Sequence, residues 1–151
     1  MKILMVCLGN ICRSPLAEGI LKHKLEQLSL PAHVDSAGTG NYHQGEKPDH
    51  RSVATALQYG IDISKQKARQ IKPIDFQYFD RIYVMDESNR KNVLSVCPED
   101  QQHKIKLILS VLPDFSPQEV PDPYWDSLTG FEKVYQMLDK ACDQIIATDF
   151  Q

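Results

Sequence analysis

Five residues separate a thiol from a guanidinium in Cys7-Leu8-Gly9-Asn10-Ile11-Cys12-Arg13, and Ser14-Pro15 follows directly. That spacing is enough to curl the backbone so that successive N–H groups point inward at a tetrahedral anion. Gly9 and Asn10 are the residue types that tolerate left-handed backbone. Ser14 is a favoured helix N-cap and Pro15 suits the first helical position, which would aim the positive end of a helix at the loop. The stretch Leu8, Gly9, Asn10, Ile11, Cys12, Arg13, Ser14 therefore reads as a phosphate cradle. A cysteine of ordinary pKa about 8.5 is lowered by several units in such a field, so Cys7 is expected to be a thiolate nucleophile. Arg13 offers a planar fork that matches two phosphoryl oxygens, which lysine lacks. The Ser14 hydroxyl is within reach of the thiolate.

The same residues have a plainer reading, in which Cys7 is a small buried hydrophobe ending a strand and Arg13 snorkels over a helix surface. The glycine, the asparagine, the Ser-Pro step and the strand–loop–helix setting weigh against it. No G-x-x-x-x-G-K is present, and Gly38-Thr39-Gly40 lacks the third glycine of a dinucleotide loop, His43 standing in its place.

A thiolate attacking phosphorus needs an acid for the leaving group. Asp86, Asp114, Asp122 and Asp126 are all candidates. Asp122 lies in Val120-Pro121-Asp122-Pro123-Tyr124-Trp125, where two prolines stiffen a loop carrying two large aromatics. An ordinary surface turn would have the same composition.

The elements that position this chemistry alternate. The 151 residues, 42% hydrophobic and 25% charged, suit one domain spanning 1–151. A net charge of -3 argues against a nucleic-acid footprint or a polybasic membrane anchor. The apolar start Ile3-Leu4-Met5-Val6-Cys7-Leu8 is broken at Gly9-Asn10 and Arg13, so it reads as a buried strand and not a signal segment. No run approaches a membrane span. Cys7, Cys12, Cys97 and Cys142 read as thiols of a cytoplasmic protein, with no ligand-type spacing for a metal and no cofactor implied.

Strands are expected over Lys2 to Cys7, His33 to Ser36, Arg81 to Met85 and Ile105 to Leu109. Helices are expected over Pro15 to Leu28 with Ala17, Leu21, Leu25 and Leu28 inward, over about Asp49 to Tyr59 closed by Gly60, and over about Glu87 to Val96. A last helix is marked by a Thr129/Glu132 capping box and the stripe Phe131, Val134, Tyr135, Leu138, Cys142, Ile145. This pattern predicts an α/β fold: a doubly wound, flavodoxin-like, four-stranded parallel sheet with helices on both faces. Ligands of such sheets bind beyond the strand carboxyl ends, where the loop after the first strand lies.

Val6-Cys7-Leu8-Gly9-Asn10-Ile11-Cys12-Arg13-Ser14-Pro15 with Ala17-Glu18 resembles the signature of the low-molecular-weight protein tyrosine phosphatases. Asp35-Ser36-Ala37-Gly38-Thr39, Pro48-Asp49-His50-Arg51, Lys67-Ala68-Arg69-Gln70, Met85-Asp86-Glu87-Ser88-Asn89 and Asp122-Pro123-Tyr124 follow in the family's order, so the resemblance covers essentially the whole chain. It implies Cys7 as nucleophile, Arg13 as phosphate ligand, Asp122 as general acid, and Ser14 and Asn10 as supports of the loop. It also implies Tyr42, Tyr124 and Trp125 as walls for a phenyl ring, hence phosphotyrosine proteins as substrates and inorganic phosphate as product. Cys12 matches a position whose thiol traps an oxidised nucleophile as a disulfide; a buried inert thiol fits the spacing equally. Gln66 stands where many eukaryotic relatives carry histidine, and Trp125 where a second tyrosine is common, departures that bear on substrate preference. An arsenate reductase of the same architecture would need two resolving cysteines after the third strand, where only Cys97 lies, and would lack the Asp-Pro-Tyr loop. A non-catalytic phosphate-binding module would have no use for Cys7, Arg13 and Asp122 together.

Overall fold

The run Ile3 to Cys7 contains no polar side chain, and a strand apolar on both edges of its pleat must be covered on both faces. It forms β1 (Lys2–Cys7), flanked in a fully parallel sheet by β2 (His33–Gly38) and β3 (Arg81–Val84), with β4 (Ile105–Leu107) beyond β3. The order β2-β1-β3-β4 is the predicted doubly wound arrangement. It reverses between β1 and β3, so the switch point lies beyond Cys7 and Val84. The computed structural model describes residues 1–114 and 118–150.

Alternation along β1 sorts the core. Ile3, Met5 and Cys7 face α1 (Arg13–Gln27) and α5 (Leu128–Asp149), packing with Leu16, Ile20, Leu138 and Cys142. Leu4 and Val6 face the other layer, which holds Phe76 of α3 (Pro73–Tyr78) and Val93 of α4 (Glu87–Val96). α2 (His50–Leu57) packs beside α1 and α5. It opens with Asp49 Oδ1 accepting from Arg51 N, and its chain turns at Gly60 with φ of 77°. The expected α5 stripe from Phe131 to Ile145 is buried throughout.

Several local expectations are corrected. α1 starts at Arg13, with Cys12 in the cap position and no side-chain cap, so Ser14 and Pro15 are its second and third residues. The curl of the loop enters helical geometry directly, and the Ser14 hydroxyl turns to the cradle instead of to the helix amides. Leu28 is 56% exposed, just past the helix end, whereas Leu16 and Ile20 are buried in its place. α5 begins earlier than the Thr129/Glu132 box requires, with extended Ser127 as its cap residue. β4 ends at Leu107, because the chain then winds into a 3₁₀ turn, Ile108–Val111. Ile108 and Leu109 stay buried there among α1 and α5 side chains, so the apolar run outlasts the strand. α3 was not expected from the sequence. Among the described residues no helix is long and apolar enough to cross a membrane.

Candidate active site

The loop from Cys7 to Arg13 closes the carboxyl end of β1, and its carbonyls are tied outward. Leu8 O accepts from Gly40 N at 3.0 Å and Ile11 O from Asp49 N at 2.8 Å. Cys12 O accepts from the Ser52 hydroxyl at 3.2 Å. In a planar trans peptide the N–H opposes the carbonyl, so the amides of Gly9, Cys12 and Arg13 are turned inward. Asn10, with φ of 58°, is the left-handed residue of the curl, and its amide donates to Cys7 Sγ at 3.3 Å. Gly9 is not left-handed. It is small for another reason: a Cβ there would meet His43 Cδ2 at 3.0 Å. Gly38, at the end of β2, is under a tighter constraint, since its Cβ would lie 2.8 Å from Leu8 O.

Behind the sulfur runs a hydrogen-bond chain whose direction is fixed by its donors. Arg69 N donates to Asn10 Oδ1 at 3.0 Å, which sets the Asn10 amide. Asn10 Nδ2, which can only donate, reaches Ser14 Oγ at 2.8 Å and Ser36 Oγ at 3.0 Å. The Ser36 hydroxyl donates in turn to Glu18 Oε1 at 2.6 Å, and Glu18 is paired with Lys22 at 2.5 Å. Ser14 thus keeps one proton, and Cys7 Sγ lies 3.0 Å from its oxygen.

Arg13 is 2% exposed. Its Nη1 donates to Asp86 Oδ2 at 2.7 Å and to Val120 O at 2.9 Å, and its Nη2 lies 3.8 Å from Asp122 Oδ2. Burial works against the guanidinium charge, but Cys7, Asp86 and Asp122 outweigh it and hold Arg13 above its ordinary pKa. A cleft of about 420 Å³ opens above the loop, lined by Cys7, Arg13, Tyr42, His43, Asp122 and Tyr124, with Trp125 at its edge. Of the four candidate acids, only Asp122 lines it. Asp86 is committed to Arg13 and to capping α4 through Asn89 N.

The model of the low molecular weight phosphotyrosine protein phosphatase family matches residues 2–149. The chain belongs to that family. A Saccharomyces cerevisiae low molecular weight phosphotyrosine protein phosphatase is 37% identical over 145 residues, covering 90% of this chain and 87% of the yeast one. The crystal structure of an Entamoeba histolytica protein tyrosine phosphatase superposes with a TM-score of 0.95 at 37% identity, covering 99% of this chain and 97% of that one. A Drosophila arginine phosphatase superposes with a TM-score of 0.92 at 32% identity, covering 100% and 99%.

In this low-molecular-weight phosphatase the loop that carries Asp122 is fastened at several points. Val120 N donates to Met85 O at 2.8 Å, and Glu119 accepts from Glu87 N at 2.8 Å. Asp122 Oδ1 accepts from Tyr124 N at 3.1 Å. Tyr42 is 72% and Trp125 91% exposed, with Trp125 edge-on to Tyr124 at 4.9 Å between ring centroids. All four cysteines are free thiols. Burial pushes the Cys12 thiol up to about 12, with Asp49 and Cys7 adding to it. Cys97 belongs to the core face opposite Cys7, away from the cleft. Residues Asp49, Arg51, Arg69 and Glu18 support the site without any signal of their own beyond lying in family-matching motifs, and Asp86, a candidate acid by sequence, serves as the partner of Arg13.

Proposed function

We propose that the protein hydrolyses phosphotyrosine in proteins through a phosphocysteine on Cys7. The sulfur attacks phosphorus in line, the P–O bond to the phenol breaks, and Asp122 gives its proton to the departing oxygen. Asp122 then takes a proton from water, whose oxygen displaces the Cys7 sulfur and frees inorganic phosphate. Arg13 and the inward amides hold the equatorial oxygens through both steps. The Ser14 hydroxyl donates a hydrogen bond to the sulfur both as it attacks and as it leaves, keeping its own proton throughout. The observation that carries this reading is that Ser14 has one proton to donate, with Cys7 Sγ 3.0 Å away, at the floor of a cradle closed by buried Arg13.

Tyr42, Tyr124 and Trp125, with exposed Leu8, give the mouth an aromatic and apolar rim, which supports an aryl ester over an alkyl one. Residues 1–151 act as one catalytic domain, and the cytoplasm is its compartment, in keeping with four free thiols. Aryl phosphate hydrolysis in the presence of EDTA is expected, and Cys7→Ser is expected to abolish it. Undiminished hydrolysis by Cys7→Ser, or faster turnover of phosphoarginine than of phosphotyrosine, would count against the proposal. Asp122→Ala is expected to lose more rate than Asp114→Ala or Asp126→Ala.

A further inference from the structure

Pro48-Asp49-His50-Arg51 has no place in the reaction above, yet every nitrogen of its guanidinium is hydrogen-bonded beside the cleft. Arg51 Nε and Nη2 grip the Asp49 carboxylate as a fork, at 3.0 and 2.9 Å. The remaining donors cross to the acid loop, Nη2 to Tyr124 O and Nη1 to Asp126 O, each at 2.9 Å. The guanidinium also lies 4.6 Å from the centroid of the fully buried Phe131 ring. On the other side, the Asp49 amide donates to Ile11 O in the phosphate cradle at 2.8 Å. Asp49 and Arg51 therefore bridge the two loops that carry Cys7 and Asp122.

The bridge reaches the acid itself through a single residue. Tyr124 accepts from Arg51 at its carbonyl and donates from its amide to Asp122 Oδ1. Asp122 is otherwise exposed on a short loop, with a side chain 44% accessible. We propose that Arg51, oriented by Asp49, is a positioning residue that sets the distance and angle of Asp122 to the ester oxygen. This inference rests on the general-acid role of Asp122 given above.

A displaced acid is felt only where the leaving group needs its proton. Phenolate does; dinitrophenolate leaves without one. Arg51→Met is expected to lower kcat/KM for phenyl phosphate by about tenfold or more, and for dinitrophenyl phosphate by less than about threefold. In an Asp122→Ala background the same change should cost nothing further on phenyl phosphate, since the two act as one unit. Arg51→Lys, which keeps the charge but not the fork, should show the same discrimination to a smaller extent, and it carries the test if the Met variant does not fold. Equal losses on both esters, no loss on phenyl phosphate, or a loss that persists without Asp122 overturns the inference. If Asp122→Ala treats both esters alike, the general-acid role itself falls and the inference with it. If Asp122→Ala discriminates and Arg51→Met and Arg51→Lys do not, the inference falls alone.

Discussion

The Ser14 hydroxyl lies 3.0 Å from Cys7 Sγ, and among the described residues its proton has no other acceptor, because the neighbouring Asn10 Nδ2 is itself a donor. A hydrogen bond to a charged group contributes about 1.5–3 kcal/mol. At about 1.4 kcal/mol per factor of ten, Ser14→Ala should lower kcat/KM by roughly ten- to a hundredfold. Ser14→Thr, which keeps the hydroxyl, should recover part of the loss. Alkylation of Cys7 by iodoacetate at neutral pH should slow in the alanine variant alone. An alanine variant with unchanged turnover and alkylation would show that the proton points elsewhere.

Cys12 is a different kind of thiol, although it sits in the same loop. Burial, Asp49 and Cys7 hold it protonated up to about 12. Brief alkylation at neutral pH, followed by peptide mapping, should modify Cys7 and leave Cys12 intact. The same protonation governs any capture of oxidised Cys7 by Cys12, since the thiolate is the attacking species. Oxidation of Cys7 leaves burial, the largest contribution, in place. Disulfide formation after peroxide treatment should therefore be slow at pH about 7 and accelerate about tenfold per pH unit, the thiolate fraction rising in that proportion. A rate independent of pH between about 6 and 9 would exclude Cys12 as the attacking thiol.

How much of this was legible in advance follows from what each feature depends on. β1 read correctly because an unbroken apolar run is a local signal, and α4 falls over Glu87–Val96 as expected between its two strands. The cradle was legible because Cys7, Asn10 and Arg13 must share one short loop. α3 was missed because six residues with exposed Ile74 show no period. The end of β4 was misplaced because Ile108 and Leu109 are as buried in a 3₁₀ turn as in a strand. Ser14 fits a cap by local pattern, but the helix already begins at Arg13, so of its two expected roles only the contact of its hydroxyl with the Cys7 sulfur is found. Arg51 was invisible as a positioning group, since its acid-loop partners are backbone carbonyls 73 and 75 residues away, and backbone carries no side-chain signature.

Gly38 has no freedom to grow. Its Cβ would stand 2.8 Å from Leu8 O and 3.2 Å from Gly9 C, both backbone of the cradle. Gly38→Ala should therefore push the end of β2 away from the loop, at a cost of about 1–3 kcal/mol for overpacking. The displaced backbone is that of the proposed phosphate cradle, so KM for an aryl phosphate and the Ki of inorganic phosphate should rise together. Gly60→Ala, at a positive φ but with nothing within 4 Å of its Cβ, provides the contrast. It should lower stability and leave both constants unchanged. Urea unfolding beside phosphate inhibition separates the two outcomes.

The bridge between the loops also carries a pH dependence whose sign is fixed by Asp49. Hydrogen bonds from Arg51 hold the Asp49 carboxyl below its ordinary value, against the opposing pull of its burial. A group with a depressed folded-state pKa contributes its full stabilisation above its unfolded value, about 4, and loses it as pH falls through the folded value. The wild-type protein should therefore exceed Asp49→Asn in thermal midpoint by a constant margin from about pH 8 to about pH 5, and the margin should close below that. Asparagine keeps one acceptor for Arg51 but not the charge, so the margin measures the ion pair and not the shape of the side chain. Because Asp49 also holds Ile11 through its backbone, which the substitution leaves in place, the cradle should persist in the variant. Inhibition by inorganic phosphate should stay near wild type while the margin in stability is lost. A margin that widens on acidification would place the stabilising charge on another residue.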